Sequence, residues 1–164
     1  MSASGPATDG ILAPAKINLN LKIVGRREDG YHLLDSMVVF TAFGDRILVQ
    51  PSPQDSITID GPFGDMLNEP PSENICAKAL TMFRLAGGRI GPLAIHIRKD
   101  IPVGAGLGGG SSNAAALLRW LQENADGAVP DVSLSEIAPS LGADVPACLA
   151  GRALQMTGIG ETIT

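Results

Sequence analysis

Aromatic side chains and positive charge are both scarce in this sequence. Its 164 residues include one Tyr, one Trp and four Phe, and 12 Lys and Arg stand against 17 Asp and Glu, for a net charge of −5. A nucleic-acid-binding surface needs an excess of basic side chains, and a platform for stacked bases needs clustered aromatics. We therefore expect no nucleic-acid partner.

Cysteine is rare, and long hydrophobic runs are missing. Cys76 and Cys148 each lie in a short apolar run, without zinc-site spacing, which predicts two buried thiols in a reducing compartment. No apolar run reaches 18 residues, and residues 1–10 lack the basic and apolar regions of a signal peptide. We expect a cytoplasmic protein with no membrane association and a disordered tail over residues 1–10.

Glycine, by contrast, is concentrated in one place. With 45% hydrophobic and 18% charged residues, the chain predicts one globular domain over residues 11–164. Five of its 20 glycines fall between positions 104 and 110, just before Ser111, Ser112 and an alanine-rich segment. Glycine permits turns that aim N–H groups inward, serine caps a helix, and a helix N-terminus attracts anions. The stretch predicts a phosphate-holding loop before a helix over residues 114–124.

Two common phosphate-binding loops do not fit this stretch. It lacks the Gly-Lys-Ser/Thr ending of a P-loop. Gly104, Gly106 and Gly109 fit the G-x-G-x-x-G pattern, but residues 93–100 alternate apolar and polar side chains before Pro102. Since a dinucleotide-binding loop should follow a strand that is apolar throughout, a dehydrogenase is a remote alternative.

The loop resembles the ATP-binding motif of the GHMP kinases, which has Pro, then Gly-Leu, then small residues with Ser-Ser-Ala. Pro102, Gly106-Leu107 and Ser111-Ser112 fit that motif, and Asn113 stands where many members have Ala. The resemblance implies ATP and Mg²⁺ as cofactors and places Asn113 on the substrate side. It assigns nucleotide binding to these residues: Pro102, Gly104, Gly106, Leu107, Gly108, Gly109, Gly110, Ser111, Ser112 and Asn74.

Residues 13–25 alternate apolar and polar side chains, which predicts one strand with an apolar face. The apolar set is Ile17, Leu19, Leu21 and Ile23. On the other face lie Lys16 and Asn18, in an Ala-Lys-Ile-Asn-Leu segment. This segment resembles a GHMP kinase motif whose lysine and asparagine point at the substrate.

Asp144 is an isolated acid in a Gly-Ala-Asp-Val-Pro segment. The residues alone leave open a helix-capping Asp or a functional carboxylate. The segment resembles a family motif in which this aspartate is the catalytic base. The resemblance implies that Lys16 lies beside Asp144, keeps it ionised and steadies charge on the transferred group. Asn74 is also open: it contacts adenine, as the resemblance implies, or it caps the helix predicted over residues 73–85, whose expected N-cap is Ser72.

Asp29-Gly30 predicts a charged hairpin turn, and Tyr31 and His32 follow it. Gly-Tyr-His after such a turn resembles the GHMP kinases that act on a cytidine-containing substrate. The resemblance implies that Tyr31 stacks on cytosine and that His32 hydrogen-bonds its ring. Tyr31 also fits a half-buried strand aromatic, and that alternative stays open.

The order of elements predicts an α/β (α+β) fold with a mostly antiparallel sheet and helices on one face. Further strands are expected at residues 31–40, 45–51, 55–61, 93–100 and 151–158, and a third helix between residues 132 and 141 with Ser133 or Ser135 as its cap. The resemblance implies the N-terminal domain of a GHMP kinase, the ribosomal protein S5 domain 2-like fold, without the second domain that closes the cleft of these enzymes.

The implied function is ATP-dependent phosphorylation of a hydroxyl on a cytidine diphosphate-linked small molecule, in the non-mevalonate route to isoprenoid precursors. A GHMP kinase of the mevalonate or homoserine type stays open, as does a nucleotide-binding module without catalysis. Because a second domain is expected to be absent, we also expect an exposed apolar face and self-association through it.

Overall fold

A long central strand organises the sheet in this computed structural model, which describes residues 10–126, 134–158 and 162–164. The described strands are β1 (Ile11–Asn18), β2 (Lys22–Arg26), β3 (His32–Pro51), β4 (Ser56–Asp60), β5 (Leu93–Arg98), β6 (Leu154–Gly158) and β7 (Thr162–Ile163). The described helices are α1 (Ile75–Leu85), α2 (Gly109–Asn124), α3 (Leu134–Leu141) and α4 (Val145–Ala150). Apart from Gly10, the tail predicted over residues 1–10 lies outside the described residues.

The two edges of β3 carry different partners. One edge pairs with β1 and β2, and the other pairs with β5 and β6, all of them antiparallel. Strand β4 pairs with β5 in parallel, and β7 extends the sheet beyond β6. The prediction of a mostly antiparallel sheet is confirmed.

The prediction of separate strands at residues 31–40 and 45–51 is wrong, because β3 continues through residues 41–44. Gly44 explains how the strand stays intact. It pairs with Pro14, and a Cβ atom there would lie 2.1 Å from the Ala13 carbonyl oxygen. A glycine inside a strand often marks such a close backbone approach, and here it lets β1 lie tightly against β3.

The strand predicted over residues 13–25 is also wrong in two respects. It bends after Asn18 and resumes as β2, and its expected apolar face is exposed, with Ile17 at 37% and Ile23 at 64%. Lys16 is only 4% exposed. At the bend, Asn20 Oδ1 accepts a hydrogen bond from the Met37 amide at 2.6 Å. Self-association through such exposed side chains stays a prediction.

The helices bury small and apolar side chains against one face of the sheet. In α2, Ala114, Ala115, Leu117 and Leu118 have no exposed surface, and Phe83 of α1 is equally buried. Each large apolar side chain buried in this way contributes about 1.5–3 kcal/mol. The sheet face away from the helices carries Arg46, Arg98 and Thr58, whose exposure is what a one-sided core predicts.

Several helix boundaries differ from the predicted ones. Asn74, not Ser72, is the N-cap of α1, and its Oδ1 accepts a hydrogen bond from the Cys76 amide at 2.9 Å. Ser72 belongs to a preceding 3-10 turn. Ser135 lies inside α3 and so is not its cap, and Ser133 falls outside the described residues. Helix α4 was not expected; it follows directly from Asp144.

Candidate active site

The glycine loop (residues 102–110) connects β5 to α2. Gly104 and Gly106 both have φ +74° and Gly108 has φ +65°, a left-handed conformation that other residues adopt at a cost. A Cβ atom at Gly104 or Gly106 would meet nothing within 4 Å. At these two positions glycine is needed for the backbone conformation, and the space beside the loop is open.

Helix α2 begins inside this loop, at Gly109, with Gly108 as its N-cap residue. The prediction that Ser111 or Ser112 caps a helix starting at 114 is therefore wrong. Because Gly108 is left-handed, the chain enters the helix early, and the Ser112 amide donates to the Gly108 carbonyl at 2.8 Å. Both serines lie in the first turns, where helix amide groups and the helix dipole favour a bound anion.

Two buried lysines, Lys16 and Lys99, lie against the backbone of the loop. The Lys16 amide donates to the Leu107 carbonyl at 2.8 Å, and a Cβ at Gly108 would lie 3.1 Å from Lys16 Cβ. A Cβ at Gly109 would lie 3.1 Å from Lys99 Nζ. The two glycines thus let the backbone of the loop approach both lysine side chains.

The structure brings Lys16 and Asp144 together although they are 128 positions apart in sequence. Lys16 Nζ lies 3.5 Å from Asp144 Oδ1, and the two side chains are 5% and 37% exposed. Asp144 occupies the N-cap position of α4, yet its side chain makes no capping hydrogen bond. Its carboxylate is left facing Lys16 and solvent, an arrangement that suits a proton acceptor.

A chain of hydrogen bonds fixes the other side of Lys16. Its Nζ donates to Asn18 Oδ1 at 2.8 Å, Asn18 Nδ2 donates to Ser36 Oγ at 2.7 Å, and Ser36 donates to the Asn20 carbonyl at 2.5 Å. These polar side chains occupy the inner side of β1 and β3. Because these side chains find partners in one another, the strand's polar face can turn inward without leaving their hydrogen bonds unmade.

The glycine loop forms one wall of a cavity of about 430 Å³, a volume in the range of small-ligand sites. Asn74 and Asn113 also line it. Asn74 is occupied in capping α1, and its Nδ2 donates to Glu69 Oε1 at 3.2 Å. Asn113 is 3% exposed, and its Oδ1 has no hydrogen-bond partner among the described residues. The ligand contacts expected of both residues stay predictions.

Tyr31 and His32 lie outside that cavity, at the turn that enters β3. The turn itself is as predicted, with Gly30 at φ +91° and the Tyr31 amide bound to Asp29 Oδ1 at 3.2 Å. Tyr31 is 61% exposed, so the half-buried alternative is wrong. His32 shares a strand face with Ser36, four residues and about 13 Å further along β3. An extended ligand could therefore span from the turn to Asn18.

The residues that sequence reasoning missed are Asp45 and Lys99. They form an ion pair in which both are buried, at 0% and 3% exposure. Two signals were available: Lys99 lies three residues before Pro102, and Asp45 ends the uncharged stretch of β3 over residues 36–44. Neither signal identifies the partner, because the two residues are 54 positions apart.

The site's residues fit nucleotide phosphates better than a protein-bound metal. Left-handed glycines, a helix N-terminus and two lysines provide donors and positive charge for an anion. Among the described residues there is no group of three or more His, Cys, Asp or Glu side chains that could hold a metal ion. Mg²⁺ commonly arrives with nucleotide phosphates and takes few protein ligands.

None of the described helices is long and apolar enough to cross a membrane.

The class of protein follows from this fold and loop together with one sequence match. Residues 74–152 match the family model described as the GHMP kinases N terminal domain. Residues 74–152, which hold the glycine loop and the Gly-Ala-Asp-Val-Pro segment, therefore have the GHMP kinase N-terminal fold that both stretches predict. A GHMP kinase domain implies the use of ATP.

Comparisons with individual proteins point to a narrower class of kinase than the family model does. The chain is 48% identical to the 4-diphosphocytidyl-2-C-methyl-D-erythritol kinase of Agrobacterium fabrum, over 92% of this chain and 52% of that protein. It is 46% identical to the enzyme of the same name in Paramagnetospirillum magneticum, over 93% and 53%. A crystal structure of 4-(cytidine 5'-diphospho)-2C-methyl-D-erythritol kinase is 41% identical with a TM-score of 0.76, over 93% and 53%.

The chain spans about half the length of these relatives. A more distant structure, Streptococcus pneumoniae phosphomevalonate kinase, is 12% identical with a TM-score of 0.54, over 88% of this chain and 46% of that one. At that identity the likeness concerns the fold alone. The strong similarity is therefore to kinases of a cytidine diphosphate-linked alcohol.

Proposed function

We propose that this protein uses ATP to phosphorylate the 2-hydroxyl of 4-diphosphocytidyl-2-C-methyl-D-erythritol, in the non-mevalonate route to isoprenoid precursors. The observation that carries the proposal is the Lys16–Asp144 pair, 3.5 Å apart, next to a loop suited to phosphates. A kinase needs its acceptor hydroxyl, a proton acceptor and the transferred phosphoryl in one place. The names of the close relatives supply the substrate.

In this proposal the residues around the Lys16–Asp144 pair each have a defined task. Asp144 takes the proton of the substrate's 2-hydroxyl as that oxygen bonds to the γ-phosphorus of ATP and the bond to the β-phosphate oxygen breaks, releasing ADP. Lys16 balances the negative charge that develops on the transferred group. Asn18, held by Ser36, fixes Lys16 in this orientation. Mg²⁺, bound with the phosphates, would supply further positive charge there.

At the far end of the site, Tyr31 and His32 would bind the cytosine. An exposed tyrosine offers a π face for stacking, and a neutral imidazole can both donate and accept at a base edge. His32 lies on the β3 face that leads toward Ser36 and Asn18, and Tyr31 precedes it in the turn, so one extended substrate would join the two regions. Two free, buried cysteines and a net charge of −5 are consistent with a cytoplasmic enzyme that does not bind nucleic acid.

A substrate panel tests the proposal. The full-length protein with ATP should phosphorylate the diphosphocytidyl substrate and leave mevalonate and homoserine unchanged. Comparable turnover of mevalonate or homoserine would favour another GHMP kinase. Binding of ATP without turnover of any acceptor would favour a nucleotide-binding module.

Replacement of Tyr31 tests the cytosine assignment. Tyr31→Ala should weaken binding of the cytidine substrate by about 1–3 kcal/mol, the usual loss of one stacking contact, and leave the KM for ATP unchanged. Phe43→Ala is the matched control, because Phe43 is a similarly exposed aromatic, at 55% against 61%, and lies in β3, the strand that follows Tyr31. An equal effect of both replacements would remove Tyr31 from the substrate site.

A further inference from the structure

Asp45 holds the segment that leads into the glycine loop. Its Oδ2 accepts a hydrogen bond from Lys99 Nζ, and its Oδ1 accepts from the amides of Asp100 and Ile101, each at 2.8 Å. All three donors belong to consecutive residues that end one position before Pro102. One carboxylate thus fixes both a side chain and the backbone at the start of the loop.

Lys99 is fixed from its other side as well. Its amide donates to the Asp60 carbonyl at 2.9 Å, and its carbonyl accepts from the Phe63 amide at 3.2 Å. The turn between them requires Gly61, because a Cβ there would lie 2.7 Å from the Lys99 carbonyl oxygen. The start of the loop is therefore connected to β3 through Asp45 and to the end of β4 through Asp60.

The far end of the Lys99 side chain reaches the start of α2, close beneath Gly109. Asp45 has no exposed surface, so no ligand in the cavity can touch it. Stability alone gives no reason for this pair, since a well-packed apolar pair of similar volume is often at least as stable as a buried ion pair. What the pair does provide is a fixed position for Lys99, Asp100 and Ile101.

We propose that Asp45 is a positioning residue: through Lys99 and the amides of Asp100 and Ile101 it sets the glycine loop and the first turn of α2 in the conformation that binds nucleotide phosphates. The inference rests on the proposed function, because it needs a nucleotide at this loop. Asp45 acts through its neighbours and takes no part in the chemistry.

Nucleotide binding, measured by calorimetry with ATP and Mg²⁺ on the full-length protein, tests this role. Asp45→Asn keeps Lys99 but removes the charge that holds it, and should weaken ATP binding about tenfold or more. The KM for the cytidine substrate should stay the same. The double variant Asp45→Asn/Lys99→Met restores neutrality to the buried pair, so its Tm should recover toward that of the wild type while its ATP affinity stays low.

The matched control is Asp55→Asn. Asp55 also accepts from a cation and a backbone amide, Arg84 Nη1 at 2.5 Å and the Leu93 amide at 2.9 Å, but at the opposite end of β5 from the glycine loop. This variant should lower the Tm without changing ATP affinity. An equal loss of ATP affinity in Asp55→Asn, or recovery of affinity together with Tm in the double variant, would make Asp45 a purely structural residue.

The same measurement separates this inference from the function on which it rests. A wild-type protein that binds no ATP would overturn the proposed function and the positioning role together. A wild-type protein that binds ATP, with an Asp45→Asn variant of unchanged affinity, would overturn the positioning role alone. Should Asp45→Asn fail to fold, Asp45→Glu takes its place, because it keeps the charge but displaces the carboxylate; an ATP affinity equal to that of the wild type would then overturn the positioning role.

Discussion

Two Lys–Asp pairs lie against the glycine loop, and they differ in how fully their hydrogen-bonding capacity is used. Asp45 is buried completely, and its two oxygens accept from Lys99, Asp100 and Ile101. Asp144 is 37% exposed, makes no capping bond, and faces Lys16 at 3.5 Å. A carboxylate whose oxygens are all engaged can only hold structure, whereas one with free lone pairs can accept a proton.

Replacing Asp144 should produce the largest effect, and it tests whether the more exposed of the two pairs carries out the chemistry. Asp144→Asn should lower kcat by about 10²–10⁴-fold, because the amide cannot accept the hydroxyl proton. The free energy of unfolding should fall by about 1–3 kcal/mol, because Lys16, at 5% exposure, loses the carboxylate that faces it but keeps its hydrogen bond to Asn18. Steady-state kinetics and urea unfolding provide the two measurements.

The control for that variant is Asp60→Asn, which alters an exposed carboxylate that faces His96 at 3.2 Å, away from the Lys16–Asp144 pair. It should leave kcat unchanged. If Asp144→Asn kept full activity while Asp60→Asn did too, Asp144 would at most orient the hydroxyl, and the proton would leave by another route.

Replacing the two lysines tests whether the fully buried pair contributes more to stability than the partly exposed one. Lys99→Met leaves Asp45 as a buried charge without a cation and should cost about 3–5 kcal/mol in unfolding free energy. Lys16→Met leaves Asp144 partly solvated and mainly removes the donor to Asn18, so a loss of about 1–3 kcal/mol in unfolding free energy is expected. Urea unfolding of both variants compares them directly. Equal losses would mean that both pairs are equally buried in solution.

Much of this site was predictable because its signals are local. The glycine stretch, the Asp29-Gly30 turn and the alternation in residues 93–98 each specify a local conformation, and the structure has a loop, a turn and a strand there. The helix start was misjudged by five residues because a left-handed Gly108 competes with serine as the N-cap. A single residue in an unusual conformation decided that boundary.

The remaining differences come from tertiary contacts that no local pattern reveals. Alternation showed that residues 13–25 have two faces, but it did not show that Lys16 and Asn18 find partners inside the fold, which is what allows the polar face to turn inward. The Asp45–Lys99 pair joins residues 54 positions apart through strand pairing. The closeness of Lys16 and Asp144 was expected only from the family resemblance, since nothing in the spacing implies it.

Each Lys–Asp pair has a buried cysteine as a natural reporter, which allows a last and smaller test. Burial, together with the charge of Asp144, raises the pKa of the Cys148 thiol to about 12, against the opposing charges of Lys16 and Arg119. Burial likewise raises the pKa of Cys76 to about 12, with Lys99 lowering it and Asp45 raising it. Both thiols should therefore stay protonated at neutral pH and react slowly with alkylating reagents.

Because the thiolate is the reactive form, variants at each pair should change the alkylation rate of its own cysteine. Asp144→Asn removes a negative charge, so the pKa of Cys148 falls and its alkylation at pH 9 accelerates, by less than about tenfold because burial persists. Cys76 should be unaffected. Lys99→Met removes a positive charge and should instead raise the pKa of Cys76, unless loss of stability exposes both thiols. Mass spectrometry of iodoacetamide-treated protein resolves the two sites, and equal acceleration of both would indicate global opening and not a local charge effect.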